Sequence, residues 1–222
     1  MQLLRHPAVP YTVPFAVFLA FLALGHRLGL GQWEFPLRVI VLALVLWVFS
    51  RRVVSLKMPY WVGSLGLGVA VFAVWVGPDY LWPGYRAHWL FQNSITGETV
   101  SSLPAGFEMS PLVLLFRSIR AAILVPVIEE LFWRGWLLRW LINPDFEKVP
   151  LGTYTASSFF ISAVLFASEH GPYWEVGLLA GLAYNWWIVR TKSLGDCILA
   201  HAVTNAALSS YVVFAGKWEY WL

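Results

Sequence analysis

Seven apolar runs divide the chain, at about residues 10–30, 36–50, 60–77, 111–141, 153–170, 173–190 and 194–215. Their apolar residues are continuous rather than alternating, which predicts helices and not strands. Helices also satisfy every backbone polar group inside lipid. A span takes on the order of 20 residues. Several runs are shorter, so tilt, local thinning or incomplete crossing is expected. The predicted fold is all-α, a polytopic transmembrane helical bundle of about seven spans.

Polar positions concentrate at about 78–110, with Asp79, Arg86, His88, Gln92, Asn93, Glu98 and Glu108 among the turn formers Pro83, Gly84, Gly97, Pro104 and Gly106. This stretch predicts an extramembrane loop, with Trp89, Leu90 and Phe91 resting on the membrane surface. It separates three N-terminal helices (1–110) from a four-helix core (111–222), the two forming one integrated membrane domain. No internal repeat or low-complexity tract interrupts the pattern.

Composition agrees. The 222 residues are 59% hydrophobic and 12% charged, with a mean hydropathy of +0.66; soluble domains carry about twice that charge. The chain is expected to be a multi-pass integral membrane protein, in the inner membrane if its source is bacterial. Its fourteen Trp and nine Tyr suit headgroup-level positions. A net charge of +3 gives no reason to expect a nucleic-acid partner. Membrane lipid and a membrane-associated protein or peptide are the expected partners. The single Cys197 reads as a small packing residue. Arg5 followed by an apolar stretch at about 11–25 looks like a signal peptide but lacks a small-x-small cleavage site, so a retained first helix is expected.

Orientation follows the basic loop Arg51, Arg52 and Lys57, placed in the cytoplasm together with Arg5, Arg139, Lys148, Arg190 and Lys192. Arg117 and Arg120, at the outer end of the fourth helix, count against it. With the loop around Arg86 they could steer an acidic C-terminus, although cations near a membrane usually meet headgroups.

Three groups of ionisable or amide residues lie in or beside the apolar runs of the second half. Intramembrane charges are costly and persist mainly with a partner or a function. Glu130 and Arg134 are four apart, share a helix face and can pair. Glu129, about 100° round the helix, is then left for general-base chemistry. Pro126 removes a backbone hydrogen bond one turn before and can open room beside the pair. Phe166 and His170 are also four apart, with Gly171-Pro172 ending the helix. His201 and Asn205 share a face at the same spacing. Each group has a plain alternative: neutralised helix-end carboxylates, an interfacial histidine, and a helix–helix hydrogen bond. By depth, Glu129 lies about 13 Å below Arg120, while His170 looks a turn or more too shallow to meet it.

Glu129-Glu130-x-x-x-Arg134, Phe166-x-x-x-His170 and His201-x-x-x-Asn205 resemble the three ordered motifs of the CPBP family, which contains the type II CAAX prenyl endopeptidases and bacterial relatives linked to bacteriocin processing or immunity. The resemblance covers about residues 111–210. It implies a helical intramembrane protease in which Glu129 and His170 activate water and His201 and Asn205 stabilise the oxyanion. Arg134 would hold Glu130, and Phe166 would pack beneath the site. The implied substrate is the C-terminal region of a membrane-associated protein or peptide. No cofactor is expected. Zinc held by Glu129, His170 and His201 is the alternative, weakened by the lack of His-Glu-x-x-His and by the poor ligand Asn205. The rival class is a non-catalytic transporter, scaffold or immunity protein with a retained polar core.

Overall fold

The computed structural model describes residues 6–24, 27, 29–99 and 110–221. Seven helices make up the described residues: α1 (Val9–Leu24), α2 (Gly31–Ser50), α3 (Trp61–Leu81), α4 (Pro111–Trp140), α5 (Ala156–Ser168), α6 (Trp174–Thr191) and α7 (Leu194–Ala215). No β-strand occurs among them; Asn93 and Gly97 form one isolated bridge. Arg5, Pro104, Gly106 and Glu108 lie outside the described residues.

Four helices, α2, α3, α4 and α7, are long and apolar enough to cross a membrane. The protein is a multi-pass membrane protein. The other three helices differ from the seven-span expectation for physical reasons. α1 has 16 residues and α5 has 13, so α5 reaches only about 20 Å, short of a core about 30 Å thick. α6 carries Glu175, Asn185 and Arg190. α3 runs past residue 77 to Leu81 with Pro78 inside it, and Asp79 is therefore helical.

Local sequence fixes the helix starts. Ser110, Thr155 and Ser193 accept from Val113, Ser158 and Asp196 N–H groups, and Pro111 follows the first cap. Each cap satisfies one orphan donor. Large apolar side chains such as Leu44, Val62 and Phe214 face outward, as a lipid-solvated bundle requires.

One end of the bundle gathers the 51–60, 141–155 and 192–193 connections. Ser193 Oγ donates to the Lys57 carbonyl (3.1 Å), Tyr60 N–H to Asp196 (3.1 Å), and the Lys192 ammonium to the Gly152 carbonyl. Arg51, Arg52, Lys57, Lys148, Arg190 and Lys192 cluster there. The opposite end holds segments 82–99 and 216–221, where Tyr220 donates to Asp79 (2.9 Å) and Trp174 to the Leu90 carbonyl (3.0 Å).

The described part of the 78–110 stretch, residues 78–99, is not a loose loop. Arg86 is 7% exposed. It contacts Asp79 at 3.2 Å, Glu175 at 2.6 Å and the Pro172 carbonyl at 2.7 Å, with its guanidinium 4.3 Å from the Tyr173 ring centroid. Burial works against its charge, but the hydrogen bond to Asp79 and the field of Glu175 outweigh it and raise its pKa. Arg86 therefore pins the segment over the α5–α6 connection and is not available to steer a substrate. Phe91 is buried against Tyr85, while Trp89 and Leu90 face outward. Cys197 is fully buried, as a packing residue.

Helix α3 crosses α7 closely at Gly68. A Cβ on Gly68 would meet the Ala200 carbonyl oxygen at 2.5 Å and Val203 Cβ at 2.6 Å. The Gly68 carbonyl accepts from Thr204 at 2.9 Å. Gly68→Ala gains about 0.5–1 kcal/mol in helix propensity but forces backbone apart, an overpacking cost of about 1–3 kcal/mol. The expected result is a lower thermal midpoint in detergent. A raised midpoint would mean that the crossing tolerates a methyl group.

Candidate active site

Helix α4 carries the first group, and it is not a uniform α-helix. Residues Arg120–Leu124 and Leu131–Leu137 are π-helical, flanking the α-helical turns Val125–Glu130. Such widened turns concentrate at functional sites. Val125 N–H reaches back to the Arg120 carbonyl. In that register the next donor, to the Ala121 carbonyl, would be Pro126, which has no N–H. Asn205 Nδ2 from α7 takes the vacant acceptor at 2.9 Å. Pro126 thus accounts for where Asn205 docks. One Asn205 N–H is spent there, and its second remains for the cavity.

Glu130 and Arg134 form the buried node. Both are 0% exposed. Arg134 Nη1 donates to Glu130 Oε1 (3.0 Å), Nε to Asn185 Oδ1 (3.0 Å) and Nη2 to the Gly181 carbonyl (3.1 Å). Its guanidinium lies over Phe166 and Tyr184, 4.8 and 5.4 Å from the ring centroids. Asn185 donates in turn to the Phe159 carbonyl and Ser162 Oγ, both at 2.8 Å. The node therefore ties α4 to α5 and α6. The same Glu130 oxygen accepts from His201 Nδ1 at 2.9 Å, which brings in α7. Tyr184 stacks on the His201 ring at 5.0 Å and donates to Thr204 at 2.7 Å.

Glu129 points the other way. It is 5% exposed, and its buried Oε2 has no hydrogen-bond partner among the described residues. His201 Nε2 stands 4.0 Å away, beyond direct hydrogen-bond range. Ligand atoms of Glu129, Glu169 and His170 lie within 4.8 Å of one another. His170 Nδ1 is 2.7 Å from the Phe166 carbonyl. A carbonyl only accepts, so Nδ1 carries the proton and Nε2 keeps its lone pair. Glu169, at the exposed rim, accepts from Trp133 Nε1 at 3.1 Å. His170 also packs against Phe166 and Trp75.

These groups line a cavity of about 540 Å³ that includes Glu129, His170, His201 and Asn205. It extends to Thr96, Glu98, Tyr220 and Trp221, and so toward the end opposite the basic cluster. The depth mismatch expected for His170 disappears because α5 is short. The α5–α6 connection stops inside the bundle, under segment 82–99, at the level of Glu129.

Four residues of the site carry no motif signal in the sequence. Asn185 and Tyr184 sit in α6, where no motif spacing marks them, although a polar Asn in an apolar helix was a usable signal. Glu169 closes the apolar run of α5 and Trp133 lies inside that of α4, so neither carries a spacing signal. The geometry also groups a donor set different from the zinc alternative. His201 Nδ1 is engaged by Glu130, and the grouped donors are Glu129, Glu169 and His170 rather than Glu129, His170 and His201. Two carboxylates and one imidazole are a chemically acceptable three-ligand set for a divalent ion.

Residues 111–207 match the family model described as Type II CAAX prenyl endopeptidase Rce1-like. No curated protein and no solved structure matches the chain.

Proposed function

We propose, from the match of residues 111–207 to the Type II CAAX prenyl endopeptidase Rce1-like family model and the intramembrane proteolysis it implies, that the chain hydrolyses a peptide bond near the C-terminus of a membrane-associated protein or peptide, with Glu129 as general base. The observation that carries this reading is the buried, unpartnered Glu129 Oε2 facing the cavity beside His170 and His201.

Water is held between Glu129 Oε2 and His170 Nε2. Glu129 takes its proton as the oxygen attacks the carbonyl carbon. The resulting oxyanion accepts a hydrogen bond from the second Asn205 N–H and faces the His201 ring, which Glu130 orients through Nδ1. The C–N bond then breaks, and Glu129 returns the proton to the leaving amine. Glu130 and Arg134 position the imidazole, and Phe166 holds both the His170 ring and the Arg134 guanidinium. The N-terminal helices form one integrated membrane domain with this core, which the Gly68–Thr204 and Tyr60–Asp196 hydrogen bonds support. If the basic end faces the cytoplasm, substrate enters from the outer face.

A divalent ion held by Glu129, Glu169 and His170 would supply an activated water in place of the general base. The metal-free reading is preferred because His201 and Asn205 stand outside that donor set, where hydrogen-bond donors to an oxyanion are needed. The test uses the purified protein in nanodiscs, with membrane-associated peptides and H₂¹⁸O. The expected result is a new fragment carrying ¹⁸O in its carboxyl group, formed at the same rate after exhaustive chelation. Activity lost to chelator and restored by zinc would replace the glutamate mechanism with the metal one. Intact peptides throughout, with folded protein, would overturn the protease reading.

A further inference from the structure

His170 sits where its own helix no longer supports it. α5 ends at Ser168. His170 lies in the turn beyond, its N–H on the Ala167 carbonyl (3.1 Å) and its carbonyl accepting from Tyr173 N–H (3.0 Å). Gly171 follows with φ +51° and turns the chain away. No further turn of α5 covers the imidazole, so its walls have to come from other elements.

Three walls surround the ring. Phe166, one turn back on α5, packs against it with centroids 4.6 Å apart and presents its carbonyl to Nδ1 at 2.7 Å. α6 passes the ring at Gly177, where a Cβ would stand 3.2 Å from each of His170 Cβ, Cγ and Nδ1. Trp75 of α3 adds the third wall in a T-shaped contact, with centroids 5.2 Å apart and planes at 69°. Trp75 also stacks on Tyr173, in the same α5–α6 connection, at 6.4 Å and 20°. Trp75 follows Gly68 by seven residues, two turns further along nearly the same helix face. The close crossing at Gly68 therefore brings the indole to this place. With Nδ1 and Cγ covered, Nε2 is the ring nitrogen left to the cavity that His170 lines.

Trp75 is half-buried and lines that cavity itself. It meets a reacting group, an aromatic neighbour of that group and the space where substrate lies. We propose that Trp75 is a positioning residue for the hydrolysis: it holds the His170 imidazole so that Nε2 faces the water shared with Glu129, an inference that rests on Glu129 and His170 as the hydrolytic pair. Trp75 lies outside residues 111–207, so one wall of the active site comes from the N-terminal half of the chain. The tolerance is small, because a misplacement of about 1 Å costs about 10²-fold in rate. Aromatic pairs adopt defined edge and stacked geometries, which an aliphatic side chain does not reproduce. Without the indole the imidazole gains room to turn about its two side-chain bonds. Turning breaks the Nδ1 bond to the Phe166 carbonyl, the bond that fixes which nitrogen carries the proton.

The test reads the ring as well as the reaction. Wild type, Trp75→Leu, Trp75→Met and Trp75→Phe, each labelled with ring-¹⁵N histidine, are compared in nanodiscs at neutral pH. Of the five histidines, His170 is assigned by the signals lost in His170→Gln. Wild type is expected to show one fixed tautomer, protonated at Nδ1 and bare at Nε2. Trp75→Leu should average the two nitrogen signals and lower kcat of the folded protein by about tenfold or more, with KM within about twofold. Trp75→Phe should keep the tautomer and most of kcat. If Trp75→Leu does not fold, Trp75→Met, a flexible filler of the same space, carries the test with the same expectation. Unchanged ring signals and kcat in a folded aliphatic variant, with only the thermal midpoint lowered, make Trp75 a packing residue and overturn the proposal. So does a kcat that stays at the wild-type level after the tautomer is lost. A rise in KM alone makes Trp75 a substrate contact, which also overturns positioning. Averaged signals in wild type mean that the ring is not held, and the proposal is then wrong. If the ring signals respond as expected but no peptide is cleaved even by wild type, the wall on His170 stands and the protease reading fails.

Discussion

Glu129→Gln should abolish peptide cleavage while leaving the protein folded. The two halves of that expectation come from different facts. Glutamine keeps the volume of glutamate, so packing around the side chain is unchanged. Glu129 Oε2 has no hydrogen-bond partner among the described residues, so removing its charge breaks no network, and lowering the charge of a buried group relieves desolvation. A carboxamide, however, cannot take a proton from water. General-base catalysis contributes about 10²–10⁴-fold, and loss of the electrostatic environment for attack adds to it. A fall of at least about 10³-fold in cleavage rate is expected, with the thermal midpoint equal to or above that of wild type. The measurement is single-turnover fragment formation by mass spectrometry, alongside thermal unfolding of the same sample. A folded Glu129→Gln protein that cleaves within tenfold of wild type would remove Glu129 from the role of base. Glu130→Gln makes the contrast: that side chain accepts from both Arg134 and His201, so its loss should lower stability as well as rate.

That contrast between adjacent glutamates was legible in the sequence. A four-residue spacing puts Glu130 with Arg134, and the 100° step to the neighbouring position sends Glu129 elsewhere. Helix positions were also legible, because continuous apolar runs have few ways to satisfy their backbone in lipid. Three features were not. Spans were counted from apolar length, but α5 and α6 form a short hairpin whose tip is sheltered by segment 82–99, and shelter by a distant segment leaves no local signal. Arg86 looked like a loop cation because its partners, Asp79 and Glu175, are seven and eighty-nine residues away. The sequence offers Asn205 either as an oxyanion donor or as a helix–helix hydrogen bond, not as both at once. The helix distortion that ties one of its N–H groups to the Ala121 carbonyl is a property of backbone register, for which Pro126 was the one visible sign.

Arg134→Met should cost more stability than any other single change in the core. Methionine replaces much of the volume but none of the hydrogen bonds. It strands Glu130 as a fully buried carboxylate held by His201 alone, and it leaves Asn185 Oδ1 and the Gly181 carbonyl without their donor. Breaking a buried ion pair by removing one partner costs about 3–5 kcal/mol, and each orphaned polar group adds about 1–3 kcal/mol. The sum is of the same order as the whole stability of a folded protein, about 5–15 kcal/mol. Little monodisperse protein should survive extraction into detergent. Because that result alone would not separate charge from packing, the decisive variant is the double substitution Arg134→Met with Glu130→Gln. Removing the stranded charge should restore a large part of the lost stability, making the pair strongly non-additive in unfolding experiments. It should not restore cleavage, because a glutamine at 130 no longer anchors the His201 ring as a carboxylate does. Equal stability of Arg134→Met and wild type would mean that the four-helix node contributes nothing to the fold. Recovery of cleavage in the double variant would mean that His201 needs no carboxylate behind it. The separation of stability from activity in one pair of variants distinguishes a node that builds the site from one that only occupies the core.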